Sequence, residues 1–141
     1  MVEAAGKDGV ALKIVSSTRN FASQKSIWES KWTGERLSEG QNLAKSVADP
    51  VERARLSLRF SSMPVTSRHH WGTDLDINSV SPAYFRKPEG KKVYAWLSSN
   101  ASRFGFCQPY TAKGEKRPYG YEEEEWHWSY LPLSKGYLAD Y

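Results

Sequence analysis

Cysteine is nearly absent from this chain of 141 residues: Cys107 stands alone, so no internal disulfide forms and no redox compartment is readable from it. It sits in the apolar run Phe104-Gly105-Phe106-Cys107, the setting of a buried structural thiol rather than a nucleophile. Long hydrophobic runs are missing too. No stretch approaches the roughly 18 apolar residues of a membrane-spanning helix, so no transmembrane segment is expected. The first residues lack the basic and apolar regions of a secretory leader. The chain is therefore expected either to stay in the cytosol or to have its leader or anchor outside this sequence. Charge of one sign does not accumulate. Twenty Lys and Arg stand against 16 Asp and Glu, for a net charge of +4. The basic residues are scattered, with short clusters only at Lys91-Lys92 and residues 113–117. Nucleic-acid binding needs a concentrated patch, so nucleic acid is not an expected partner. Histidine is scarce as well, at three residues.

What is present reads as a globular domain. Hydrophobic residues make up 39% and charged residues 26%, a balance that excludes disorder. The length suits one domain over 1–141, and a chain of about this size buries roughly 68–70% of its unfolded surface. Six Trp and eight Tyr promise a ring-rich core, with some rings to spare for a groove.

Patterning places the elements. Residues 2–8 read as a short helix closed by Gly9, and residues 10–16 as a strand with Leu12 and Ile14 on one side. Residues 21–32 carry Ile27 and Trp28 at helical spacing. Residues 34–48 mix loop and helix, and Asp49-Pro50 opens a helix over 51–58. Residues 61–70 read as a loop and 72–77 as a strand, followed by turns around Pro82. Residues 90–104 form an amphipathic helix with Val93, Trp96, Leu97 and Ala101 on one face. A strand over 106–110, a polar loop over 111–120 and a strictly alternating strand over 125–130 complete the reading. The fold class is α+β, a small mainly antiparallel sheet with flanking helices.

Two segments carry chemistry, and all three histidines lie in them. One is Ser67-Arg68-His69-His70-Trp71-Gly72-Thr73-Asp74-Leu75-Asp76; the other is Glu124-Glu125-Trp126-His127. A catalytic zinc wants three protein ligands and one open position. His69, Asp76 and His127 offer that set, with Glu124 left over as a general base. His70 reads as a neighbour and not a ligand. Trp126, Trp128 and Tyr130 share one strand face, where core packing is the default, and Trp71 is divided between packing and lining the groove.

The first segment matches S-x-H-x-x-G-x-x-x-D and the second E-x-W-H. Together they resemble the zinc D-alanyl-D-alanine carboxypeptidases of the VanY type, related to the lysostaphin-like and hedgehog-like folds. Residues 14–21 with Gln24 resemble that family's arginine-bearing strand exit, and the likeness covers nearly the whole chain. The resemblance implies Zn2+ as cofactor, His69, Asp76 and His127 as its ligands, and Glu124 as catalytic base. It implies Arg19 as the arginine that holds substrate and transition state, and substrate contacts from Ser67, Gln24, Trp126 and Trp71. The implied partners are peptidoglycan stem peptides, or muropeptides, which sets the expected location at the cell envelope. The alternatives are an L,D-carboxypeptidase or phage-type endopeptidase of the same fold, and a zinc-bearing binding module without activity. Three positions depart from the pattern: Asp74 replaces a small residue, Glu125 a frequent proline and Val65 a common glycine.

Overall fold

The computed structural model describes residues 1–140. Helix α1 (Val2–Lys7) ends where Gly9 takes φ 69°, as its position promises. The expected strand over 10–16 shortens to β1 (Ile14–Ser16). Val10 is drawn into the core instead, and the register slips between Ile14 and Ser16. Helix α2 (Phe21–Trp32) keeps its expected bounds, with the Asn20 side chain accepting from the Ser23 N–H at its start. Then come α3 (Leu43–Ser46) and α4 (Pro50–Ser57), the latter capped by Asp49.

The loop expected over 61–70 is corrected at its end. Arg68–Trp71 winds into one 3₁₀ turn. The Ser67 hydroxyl accepts from the His69 N–H at 3.3 Å, and Gly72 ends the turn at φ 74°. Strand β2 (Asp74–Ile77) leaves it directly. Residues around Pro82 coil into α5 (Pro82–Phe85). Helix α6 (Pro88–Asn100) crosses α5 so closely that a Cβ on Gly90 would sit 2.7 Å from the Phe85 Cα. A 3₁₀ turn, Ala101–Phe104, completes the expected helix. Strand β3 (Phe106–Cys107) is shorter than expected, and its thiol is half-buried. Strand β4 (His127–Tyr130) runs into α7 (Leu131–Asp140), a helix that the patterning misses because Pro132 and Gly136 interrupt it.

The four strands lie in the order β1-β2-β4-β3, every neighbouring pair antiparallel. Side chains alternate across a strand, so β2 and β4 sort their residues into two faces. Leu75 opposes Trp128 on the side of the core, where Ile77, Phe85, Val93, Leu97 and Trp126 pack. Asp74, Asp76, His127 and Ser129 stand on the other face. Tyr130 departs from the expected core face: it is 36% exposed and packs its ring on Phe106.

Candidate metal centre

Register makes the centre. Asp76 is the cross-strand partner of His127, and Asp74 that of Ser129. His69 arrives from the 3₁₀ turn. Its Nδ1 lies 2.8 Å from the Ser17 carbonyl, so Nδ1–H donates there and Nε2 faces the site, 3.3 Å from Asp76 Oδ2. His127 is oriented the other way round. Its Nε2 lies 2.6 Å from Asp74 Oδ2, which turns Nδ1 inward, 3.2 Å from Asp76 Oδ1 and 3.4 Å from Glu124 Oε2. All three residues are buried, and their donor atoms lie within 4.8 Å of one another.

This donor set fits zinc. Two imidazole nitrogens and a carboxylate oxygen are what an open catalytic site offers. Bonds of about 2.0–2.2 Å in a tetrahedron hold their donors roughly 3.3–3.6 Å apart. His69 Nε2 lies 3.3 Å from Asp76 Oδ2 and His127 Nδ1 3.2 Å from Asp76 Oδ1, while the set with one oxygen from Asp76 lies within 4.8 Å. Asp76 Oδ1 is buried with no hydrogen-bond partner. His127 Nδ1 is near it without the alignment of a hydrogen bond. A buried acceptor left alone costs about 1–3 kcal/mol, which a cation between the two atoms removes.

The electrostatics are those of crowded carboxylates and imidazoles. Burial pulls the His127 imidazole down, but its hydrogen bond to Asp74 and the close carboxylates of Asp76 and Glu124 outweigh burial and carry it up to about 9. Burial likewise works against charge on Asp74 and Asp76, yet the histidines hold both carboxyls well below the usual carboxylate range. Glu124 goes the other way: burial, with help from the Asp76 charge, pushes it up to about 7.

A cleft of about 590 Å³ opens over these residues, lined also by Arg19, Ser67 and Trp126. Arg19 is held at three points. It donates to Ser16 Oγ at 2.9 Å, Gln24 Oε1 at 3.2 Å and Asp76 Oδ2 at 2.5 Å. Gln24 is fully buried behind it, and its Nε2 donates to the Ser62 carbonyl at 2.7 Å. Both ends of that amide are therefore in use, and Gln24 positions Arg19 instead of facing the cleft. Trp71 does not line the cleft either. Its ring lies 4.5 Å from the Arg68 guanidinium and 6.0 Å from the Tyr137 ring. Trp126 does both jobs, lining the cleft while tilting against Phe60 and Phe85. His70 is a strap: Nδ1–H donates to the Arg19 carbonyl at 2.7 Å and Nε2 accepts from the Val65 N–H at 3.2 Å. Glu125 points away, paired with Arg86 at 2.9 Å.

Tyr110 and Lys31 are among the cleft residues that escape the sequence reading. Tyr110 packs its ring 4.8 Å from that of His127, and its carbonyl accepts from the Glu124 N–H. Lys31 reaches the cleft from α2. Its spacing from Gln24 and Ile27, seven and four residues, was the signal available.

The family profile described as VanY, D-alanyl-D-alanine carboxypeptidase, matches residues 1–133. The chain belongs to that family. Its fold is accordingly that of VanY structures. A mutant of the vancomycin resistance D,D-pentapeptidase VanY from a VanB-type resistance cassette, in complex with Zn(II), superposes with a TM-score of 0.71 at 28% identity, over 94% of this chain and 67% of that one. VanYB in complex with D-Ala-D-Ala gives 0.70 at 27% identity, over 99% and 71%. The Bacillus subtilis (strain 168) protein named "Putative carboxypeptidase YodJ" is 30% identical over 138 residues. This VanY-family chain spans 93% of itself in that match but 42% of the relative's length. Among the described residues no helix is long and apolar enough to cross a membrane.

Proposed function

We propose that residues 1–141 form one zinc-dependent D-alanyl-D-alanine carboxypeptidase domain that removes the last residue of peptidoglycan stem peptides. The observation that carries the proposal is the convergence of His69 Nε2, Asp76 and His127 Nδ1, with Glu124 Oε2 3.4 Å from the same histidine nitrogen. His69, Asp76 and His127 would hold the ion. Zinc bound there supplies Lewis acidity, polarising the scissile carbonyl and letting water give up a proton near neutral pH.

The remaining work falls to the chain's own groups. Glu124 takes the proton of the attacking water and delivers it to the leaving amine nitrogen as the C–N bond breaks. Arg19 uses three of its five N–H groups on Ser16, Gln24 and Asp76. The other two are left to hold the oxyanion that develops on the attacked carbonyl. No side-chain nucleophile is needed, so no acyl-enzyme forms. On this reading the protein works at the cell envelope, where its peptidoglycan substrate lies.

Defined tri-, tetra- and pentapeptide stems, incubated with the zinc-loaded protein and analysed by mass, test the reaction. Loss of one D-alanine from the pentapeptide is expected, abolished by chelation and restored by zinc. Turnover in excess chelator, with metal shown absent, defeats the zinc mechanism. Release of the residue beyond an L,D bond, or cleavage inside a longer peptide, replaces the D,D-carboxypeptidase reading with its relatives.

A further inference from the structure

Gln24, Ile27 and Lys31 follow one another at spacings of three and four residues and so share one face of α2. That face turns to the cleft: Ile27 and Lys31 line it, and Gln24 is buried behind Arg19. The Lys31 ammonium donates to the hydroxyl of buried Ser61. Among the described residues no carboxylate forms an ion pair with it. Burial pushes its pKa down, while the charge of Glu124 on the same cleft draws it back up. The neighbouring cations are engaged, Arg19 with Asp76 and Arg68 with Asp74. Arg36 also lines the cleft but is exposed at its rim.

A cation partly withdrawn from water and met by a neutral hydroxyl is an unfinished ion pair. It shares a cleft with the three donor residues and Glu124, so an anionic group on the substrate completes it. For an enzyme that cuts only at a chain end, the mark of that end is a free α-carboxylate. We propose that Lys31, with Ser61 beside it, binds the α-carboxylate of the substrate's terminal residue. The assignment rests on the carboxypeptidase reading above. Gln24 does not compete for that carboxylate, since it is buried outside the cleft lining with its Oε1 accepting from Arg19 and its Nε2 donating to the Ser62 carbonyl.

The test compares a stem pentapeptide ending in D-alanyl-D-alanine with the same peptide as its C-terminal amide. Binding is measured by calorimetry on zinc-loaded protein carrying Glu124→Gln, which slows turnover about 100-fold or more, with the peptide shown intact by mass after each titration. The parent is expected to bind the free acid about 10- to 100-fold more tightly than the amide, the scale of a hydrogen-bonded ion pair. Lys31→Met, which keeps the length and removes the charge, brings that ratio near unity; Lys31→Gln is a second neutral variant should the first not fold. Lys31→Arg retains part of the preference, and Arg36→Gln retains most of it. Zinc content and melting temperature of each variant separate loss of the subsite from loss of the fold or the metal. The assignment is overturned if Lys31→Met and Lys31→Gln keep the parent's preference, if Arg36→Gln loses as much, or if the parent has none. Wild-type turnover distinguishes the two readings. Hydrolysis of neither peptide defeats the carboxypeptidase reading, whereas the binding ratio judges Lys31 with or without turnover.

Discussion

Asp74 Oδ2 stands 2.6 Å from His127 Nε2, in a fully buried carboxylate that also accepts from Arg68, Thr73 and Ser129. That bond selects which ring nitrogen of His127 faces Asp76. The chain thus sets a buried carboxylate behind a histidine of the candidate metal centre. Asp74→Asn sets an amide N–H₂ against donors and removes the charge that pairs Arg68. Zinc affinity is expected to fall about 10- to 100-fold, read by chelator competition, with far-UV circular dichroism unchanged.

Glu124 and Glu125 are adjacent in sequence and opposed in role. Glu124 Oε2 is 3.4 Å from His127 Nδ1, while Glu125 pairs with Arg86. Glu124→Gln should keep zinc and lower kcat about 100-fold or more. Glu125→Gln should leave kcat within a few-fold of wild type. Steady-state kinetics on one stem peptide checks both, and the reverse pattern would move the base by one residue.

The two neighbouring histidines part in the same way. His69→Ala removes a donor and should abolish stoichiometric zinc binding. His70→Ala cuts the strap between the Arg19 carbonyl and the Val65 N–H. Metal analysis after dialysis should find one zinc per chain in that variant, with a raised KM because Arg19 is less firmly placed.

The metal-free protein should lose stability as pH rises from 7 to 9. His127 is raised from 6.5 to about 9, and Glu124 from 4.5 to about 7. A group whose folded pKa is raised stabilises fully below its unfolded value and loses that contribution as pH climbs through its folded value. Glu124 gives up most of its contribution between about pH 4.5 and 7, so His127 governs the fall from pH 7 to 9. Zinc takes the place of the His127 proton, so zinc-loaded protein should hold its Tm over this window. About one proton should also leave per zinc bound at pH 7, measured by calorimetry in buffers of different ionisation heat.

Val65 adopts φ 71°, a left-handed conformation that a β-branched residue occupies under strain, and its side chain is 72% exposed. It makes no buried contact to offset this. Val65→Gly should raise stability by about 1 kcal/mol, since the left-handed region costs an L-residue roughly 1–2 kcal/mol and glycine returns part of it as backbone entropy. Urea unfolding of the zinc-loaded protein measures the change.

Much of this molecule was legible in one dimension. Asp49, Gly9 and Gly105 mark helix ends through local chemistry, and the spacing of Ile27 and Trp28 located α2. The candidate donors and the candidate base stood out because a tight turn and a strand bring residues of fixed separation together: His69 and Asp76 are seven apart around Gly72, and Glu124 and His127 three apart. Tertiary structure alone decided what depends on distant segments. The pairing of β2 with β4 set Asp76 opposite His127, 51 positions away, and gave Asp74 a histidine to orient. Helix α7 forms despite Pro132 and Gly136 because the chain must leave β4 against the turn at Gly105, where the Leu131 N–H finds a carbonyl. Gln24, expected as a substrate contact, and Lys31, for which nothing was expected, were placed for a similar reason. Helical spacing puts them on one face, but only the packing of α2 against the loop at Ser61 and Ser62 buries the amide and leaves the ammonium in the cleft.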